Sequence, residues 1–153
     1  MVYLSKAALP VSEVDISCFA HATEDEDKVL DALRHILPPE HVENISFTKN
    51  AAKGHHGNLI VVLEAKIKDK NMVKAVVETF ASGLNPLDKK TLMTQIGKHV
   101  EKGSFYLRLD KQAAFEGEFR LALADPIRVR LRFKKSRFED VVEICREIGM
   151  LPR

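Results

Sequence analysis

Hydrophobic and polar positions repeat along most of the chain, and the period changes from segment to segment. Val14, Ile16, Cys18 and Ala20 alternate with more polar neighbours. That is the period of a half-buried strand, over about 12–22. Thr23-Glu24-Asp25-Glu26 reads as a capping box, with the Thr23 hydroxyl on an N3 amide and Glu26 reaching back. Val29, Leu30, Leu33, Ile36 and Leu37 follow as the buried stripe of a helix, which Pro38-Pro39 ends. Ile45 and Phe47 suggest a second strand near 43–49. Asn58 to Lys68 makes a third, placed centrally because Leu59 to Leu63 is apolar on both faces.

Met72, Val73, Val76, Val77, Phe80 and Leu84 recur at helical spacing, with Gly83 near the stop. Asn85-Pro86 caps another helix through Leu87, Leu92, Ile96 and Val100 to about Lys102. The last third reads β-β-β-α. Phe105, Leu107 and Leu109 alternate in one strand, and Phe119, Leu121 and Leu123 in the next. Ile127 to Phe133 follows the Asp125-Pro126 turn, and Phe138, Val141, Val142, Cys145 and Ile148 make a final amphipathic helix. If the second and third of these strands adjoin, a two-residue turn would mix their faces. An odd loop or a bulge is then required, unless the strands are not neighbours. The fold expected is one α+β domain over 1–153, in the order β-α-β-β-α-α-β-β-β-α. Its antiparallel or mixed sheet carries helices packed on one face.

Arg128-Val129-Arg130-Leu131-Arg132-Phe133 carries the strongest chemical signal. As a strand it sends Val129, Leu131 and Phe133 to the core. Arg128, Arg130 and Arg132 line the other face, about 7 Å apart at roughly 3.3 Å per residue. Lys134, Lys135 and Arg137 follow, and no acid lies between Arg128 and Arg137. Arg108, Arg120 and Tyr106 fall on the outward parity of their own strands. Guanidinium groups pair phosphates bidentately and a tyrosine ring can stack a base, so a polyanion suits this face. The same arginines could instead lie over an exposed sheet and pair with helix acids. Lys111 belongs to a dense charged strand end, Arg108-Leu109-Asp110-Lys111-Gln112, readable as a salt-bridge cluster or as the rim of a binding surface. His55 and His56, inside Gly54-His55-His56-Gly57-Asn58, read as a hairpin turn or a ligand-contacting loop. Two adjacent histidines do not easily share one metal ion, and no metal or cofactor is expected.

Formal charge is only +2, from 24 basic and 22 acidic residues, so charge distribution rather than net charge has to carry the argument. Cys18 and Cys145 lie in apolar patterns and read as reduced, buried thiols. The N-terminus, with Lys6 and the short apolar step Ala7-Ala8-Leu9 before Pro10, resembles neither an export signal nor a transit sequence. No apolar run approaches a membrane span. The chain is read as soluble and cytoplasmic, with no membrane partner. Glu64-Ala65-Lys66 on a strand, with Asp15, Asp25 or Asp27 as a further acid, is a short match to metal-dependent nucleases. No phosphate loop, nucleophile elbow or triad accompanies it.

The order of motifs resembles a small archaeal RNA-binding-domain family described as exosome-associated. The likeness rests on Ala20-His21-Ala22-Thr23-Glu24-Asp25 with Lys28-Val29, and on Gly54-x-His56-Gly57-Asn58. It continues through Phe105-Tyr106-Leu107-Arg108-Leu109-Asp110-Lys111-Gln112, Gly117 and Asp125-Pro126-Ile127. The resemblance implies an α+β fold like that of a ribosomal protein that binds five-S rRNA, with a looser likeness to double-stranded-RNA-binding domains. It also implies RNA as partner and a link to exosome subunits. The expected function is a non-catalytic RNA-binding accessory protein. The alternatives are an assembly module for an acidic partner and a metal-dependent nuclease.

Overall fold

The computed structural model describes residues 10–153, so the reading of Lys6 and Ala7-Ala8-Leu9 lies outside the described residues. Six antiparallel strands form one sheet: β1 (Val11–His21), β2 (Thr48–Lys53), β3 (Leu59–Ile67), β4 (Val100–Glu101), β5 (Ser104–Leu109) and β6 (Ile127–Phe133). Their spatial order is β2-β3-β1-β6-β5-β4. Among the described residues five α-helices accompany them: α1 (Glu26–His35), α2 (Lys70–Gly83), α3 (Pro86–Thr94), α4 (Lys111–Phe115) and α5 (Phe138–Glu147). The class is α+β, as the patterning predicts.

Val14, Ile16, Cys18 and Ala20 of β1 face the same side as Leu63, Ala65 and Ile67 of β3. Phe105, Leu107 and Leu109 of β5 and Ile127, Val129, Leu131 and Phe133 of β6 join them. The buried residues of the helices, among them Leu33, Phe80, Leu92, Ala114 and Val141, complete one continuous core on that side. Among the described residues, the opposite side of the sheet is mostly half-buried or exposed, and it is the open face. Cys18 and Cys145 are free thiols inside this core. Burial first of all pushes the Cys18 thiol up to about 11, and burial raises Cys145 as well.

Several boundaries differ from the expectation. The cap of α1 is Asp25, whose carboxylate accepts from the Asp27 amide, and not Thr23. Asp caps as well as Thr, and Glu24 is turned back onto the His21 amide at 3.0 Å. The second strand starts later, at Thr48, after a 3-10 turn over Val42–Asn44. β3 is second from the edge, and Leu59 at its start is exposed. Asn85 and Pro86 start α3 as expected, but the helix stops at Thr94 and a 3-10 turn, Ile96–Lys98, follows. Val100 and Glu101 then pair with Phe105 and Ser104. Lys102 and Gly103, both at positive φ, supply the two-residue turn such a hairpin needs.

The expected strand around Phe119–Leu123 is absent. Asp110 caps α4 in that region through the Ala113 amide. The chain from 119 makes only single bridges, Leu84 with Phe119 and Leu109 with Leu121. β6 has β1 and β5 as neighbours, so the loop-register problem does not arise. What holds this segment instead is packing. The Phe119 ring lies 5.3 Å from the Phe80 ring and directly against Gly83. A Cβ at Gly83 would sit 2.2 Å from the Phe119 ring. Helix propensity alone would make alanine stabilising here. The close approach reverses the sign, so Gly83→Ala should lower stability by about 1–3 kcal/mol. A urea titration checks this, and a raised midpoint would mean that the ring is not held there.

Candidate nucleic-acid interface

The open face is a grid of cross-strand rows. One row reads Lys66, Asp15, Arg130, Tyr106 across β3, β1, β6 and β5. The next reads Thr48, Glu64, Ser17, Arg128, Arg108 from β2 to β5. On the other side of the first row, Glu13, Arg132 and Ser104 line up. A bulge between Val11 and Glu13 lets Val11 and Val14 both face the core while Glu13 faces the arginines.

The three arginines therefore do not form a row of unpaired cations. Arg132 Nη1 lies 3.2 Å from Glu13 Oε2, and Lys68 approaches the other carboxylate oxygen at 3.5 Å. Arg130 Nε donates to Ser104 Oγ at 2.9 Å, and its guanidinium lies 5.7 Å from the centre of the Tyr106 ring. Arg128 stacks over Phe19 at 4.9 Å. The acids missing between Arg128 and Arg137 in the sequence are supplied by β1. Burial alone would raise Glu13. Hydrogen bonds from Arg132 and Asp15 and the charges of Lys68 and Arg132 outweigh it and hold the carboxyl low. Asp15 moves the other way: burial first, then the Glu13 charge and their shared hydrogen bond, raise it against Lys66 and Arg130.

Arg128 and Arg108 are different. They face each other directly across β6 and β5, both are exposed, and neither joins an ion pair among the described residues. Like charges directly opposite destabilise a sheet, so this corner is where the face is open to an external anion.

The remaining residues expected at the interface are scattered. Lys134, Lys135 and Arg137 are exposed beyond the far end of β6, about 20 Å from Arg128 at roughly 3.3 Å per residue. Arg137 lies 3.8 Å from Glu139. Arg120 is held beside Asp110 past the end of β5 and pairs with Glu118 at 3.1 Å. His55 and His56 sit in a 3-10 turn at the tip of the β2–β3 hairpin, with His56 at φ 62°. Asp25 and Asp27 are at the start of α1, whereas Asp15, Glu64 and Lys66 share the open face.

Lys111 is not a surface cation. Its side chain is 13% exposed, and Nζ contacts the Phe19 carbonyl at 2.5 Å, Glu24 Oε1 at 3.1 Å and Asp125 Oδ2 at 2.9 Å. His21 Nε2 reaches Asp125 Oδ1 at 3.0 Å. Three stretches of the family resemblance, around His21-Glu24, Asp110-Lys111 and Asp125-Pro126, thus meet in one cluster beside the Arg128 corner. Burial would raise Asp125, but hydrogen bonds from Lys111 and His21 outweigh it and lower the carboxyl. His21, Glu24 and Asp125 are also the one group among the described residues whose ligand atoms lie close enough for a metal ion. The Lys111 ammonium already fills the cation's place against both carboxylates. Phe19, Glu24 and Asp125 were missing from the expected site. Only the motif order pointed to the last two, and nothing in the alternation singled out Phe19.

This fold belongs to a known class of protein. The chain is a member of the RNA-binding family, whose model, described as RNA binding, matches residues 13–133. It is 35% identical over 144 residues to an RNA-binding protein of Pyrococcus abyssi, covering 91% of this chain and 94% of that one. A solved structure from Archaeoglobus fulgidus, assigned to the DUF54 family, superposes with a TM-score of 0.78 at 31% identity, covering 90% of this chain and 99% of that one. A DUF54 protein of Methanothermobacter thermautotrophicus superposes at 0.75 and 27% identity, covering 91% and 98%. No helix among the described residues is long and apolar enough to cross a membrane.

Two measurements test this description. Lys111→Met leaves two carboxylates facing each other and should cost about 1–3 kcal/mol, between the exposed and fully buried limits for ion pairs. Adding Asp125→Asn should restore part of that loss in a denaturant titration. For Asp15 the sign follows from its raised value. The stability it carries is fully present below the ordinary 3.8 and is lost as pH rises through the folded value. Asp15→Asn should therefore gain on the wild type between acid and neutral solution, and midpoints that track each other across that range would contradict the assignment.

Proposed function

We propose that this chain is a cytoplasmic, non-catalytic RNA-binding accessory protein that holds RNA on the open face of its sheet, with phosphates at Arg128 and Arg108. The observation that carries this reading is the Arg128–Arg108 pair, exposed and without an ion pair among the described residues, at one corner of an otherwise charge-balanced face. Lys134, Lys135 and Arg137 add a second basic point along the same strand axis. Family membership supports RNA as the polyanion. Phosphate contact of this kind gives affinity that falls with salt and carries little sequence preference.

Replacing Arg128 and Arg108 together by Ala should lower RNA affinity about tenfold or more and reduce the salt slope by about 2. Arg132→Ala should change it far less, because Glu13 already takes that charge. Fluorescence anisotropy with labelled RNA at several salt concentrations checks both, and unchanged binding by the folded double variant would contradict the proposal. The same RNA should stay intact with Mg²⁺ or Mn²⁺, and cleavage that Glu64→Gln abolishes would make the protein a nuclease. Association with exosome subunits, which the family resemblance implies, should survive removal of RNA and high salt if it is direct.

A further inference from the structure

Resting on that reading, the geometry points to single-stranded RNA, with a base stacked on the Arg128–Phe19 pair, as the ligand of the open face. Arg128 lies over the Phe19 ring at 4.9 Å, and the His21 ring meets the edge of Phe19 at 6.3 Å and 70°. Phe19 is half-buried and Arg128 exposed. Arg128 Cζ thus lies over the ring while the residue stays open to solvent. A guanidinium so placed can take a phosphate with its in-plane N–H groups and a base on its solvent side.

The surroundings favour bases over a bare phosphate backbone. Val62 lies opposite Phe19 on β3 and Ile60 opposite His21, both half-buried and both on the open face. They extend an apolar floor from the aromatic ring toward Asn50 and Ala52 of β2. A duplex hides the faces of its bases and offers phosphates and ribose hydroxyls, for which an apolar floor does nothing. A single strand can splay its bases onto such a surface.

The charges agree. Duplex affinity grows with the number of phosphates neutralised, yet Arg132 is taken by Glu13 and Arg130 faces Asp15. Two arginines without an ion pair among the described residues, with Lys134 and Lys135 about 20 Å away, are few for a duplex and enough to anchor a single strand whose remaining affinity comes from stacking. Tyr106 with Arg130 at 5.7 Å offers a second, more sheltered stack one row away.

The test uses the full chain, a short labelled single-stranded RNA, its duplex with the complement, and the same strand with abasic positions. Single strand should bind about tenfold tighter than duplex, and the abasic strand should lose about that factor. Arg128→Lys keeps the charge but loses the flat stacking plane. It should weaken single-strand binding about tenfold or less while the salt slope stays unchanged. Thermal melting shows that the variant is folded, which an exposed side chain makes the expected result. Duplex bound as tightly as single strand, an abasic strand bound as well as the intact one, or an Arg128→Lys variant equal to the wild type overturns the inference while RNA binding stands. No binding of any RNA overturns both.

Discussion

A strand that alternates arginine with Val, Leu and Phe can be buried on one side only, and β6 is buried there between two other strands. Everything on the open face follows from that placement. Parity puts Arg128, Arg130 and Arg132 in one line, so the flanking strands must accommodate three cations at sheet spacing. They do so in three ways. Glu13 pairs with Arg132, a contact that the bulge in β1 aims correctly. Arg130 is divided among Ser104, Tyr106 and the nearby charge of Asp15. Arg128 rests on Phe19 and faces Arg108, and there the compensation stops. The face is thus graded from neutralised to open along one strand.

The open end is also the end that Lys111 ties together. Lys111 draws together the end of β1 through the Phe19 carbonyl, the turn before α1 through Glu24, and the turn before β6 through Asp125. The strand that carries Phe19 and the one that carries Arg128 are tied at the point where their side chains stack. An ammonium held by two carboxylates and a carbonyl is costly to disturb, because removing it leaves like charges facing each other. The cluster therefore reads as the support of the site rather than as part of its contact surface.

Much of the fold was legible because alternation and helical spacing are local. Val14 to Ala20, Phe105 to Leu109 and Ile127 to Phe133 all lie in strands, and the Asn85-Pro86 start of α3 holds. The stretch around Phe119 failed because only Phe119 packs on Gly83 and Phe80, while Leu121 makes a single bridge and Leu123 stands exposed, so its alternation marks no strand. The helix expected to run to about Lys102 stops at Thr94, because Lys102 and Gly103 form the positive-φ turn of the β4–β5 hairpin. The site was half legible. The arginine parity is local, but the acids that neutralise it stand more than a hundred positions away on β1, and only the strand order brings them opposite. The setting of Lys111 was illegible for the same reason: its partners Glu24 and Asp125 come from distant turns.

The central claim is that the anion seat is the Arg128–Arg108 corner and its Phe19 support. Backbone amide shifts followed by nuclear magnetic resonance during titration with a short single-stranded RNA test it most directly. The account predicts the largest changes at Ser17, Phe19, Arg108 and Arg128, with little at Glu13 and Arg132. Changes confined to Lys134–Arg137 or to the hairpin tip at 54–58 would contradict it.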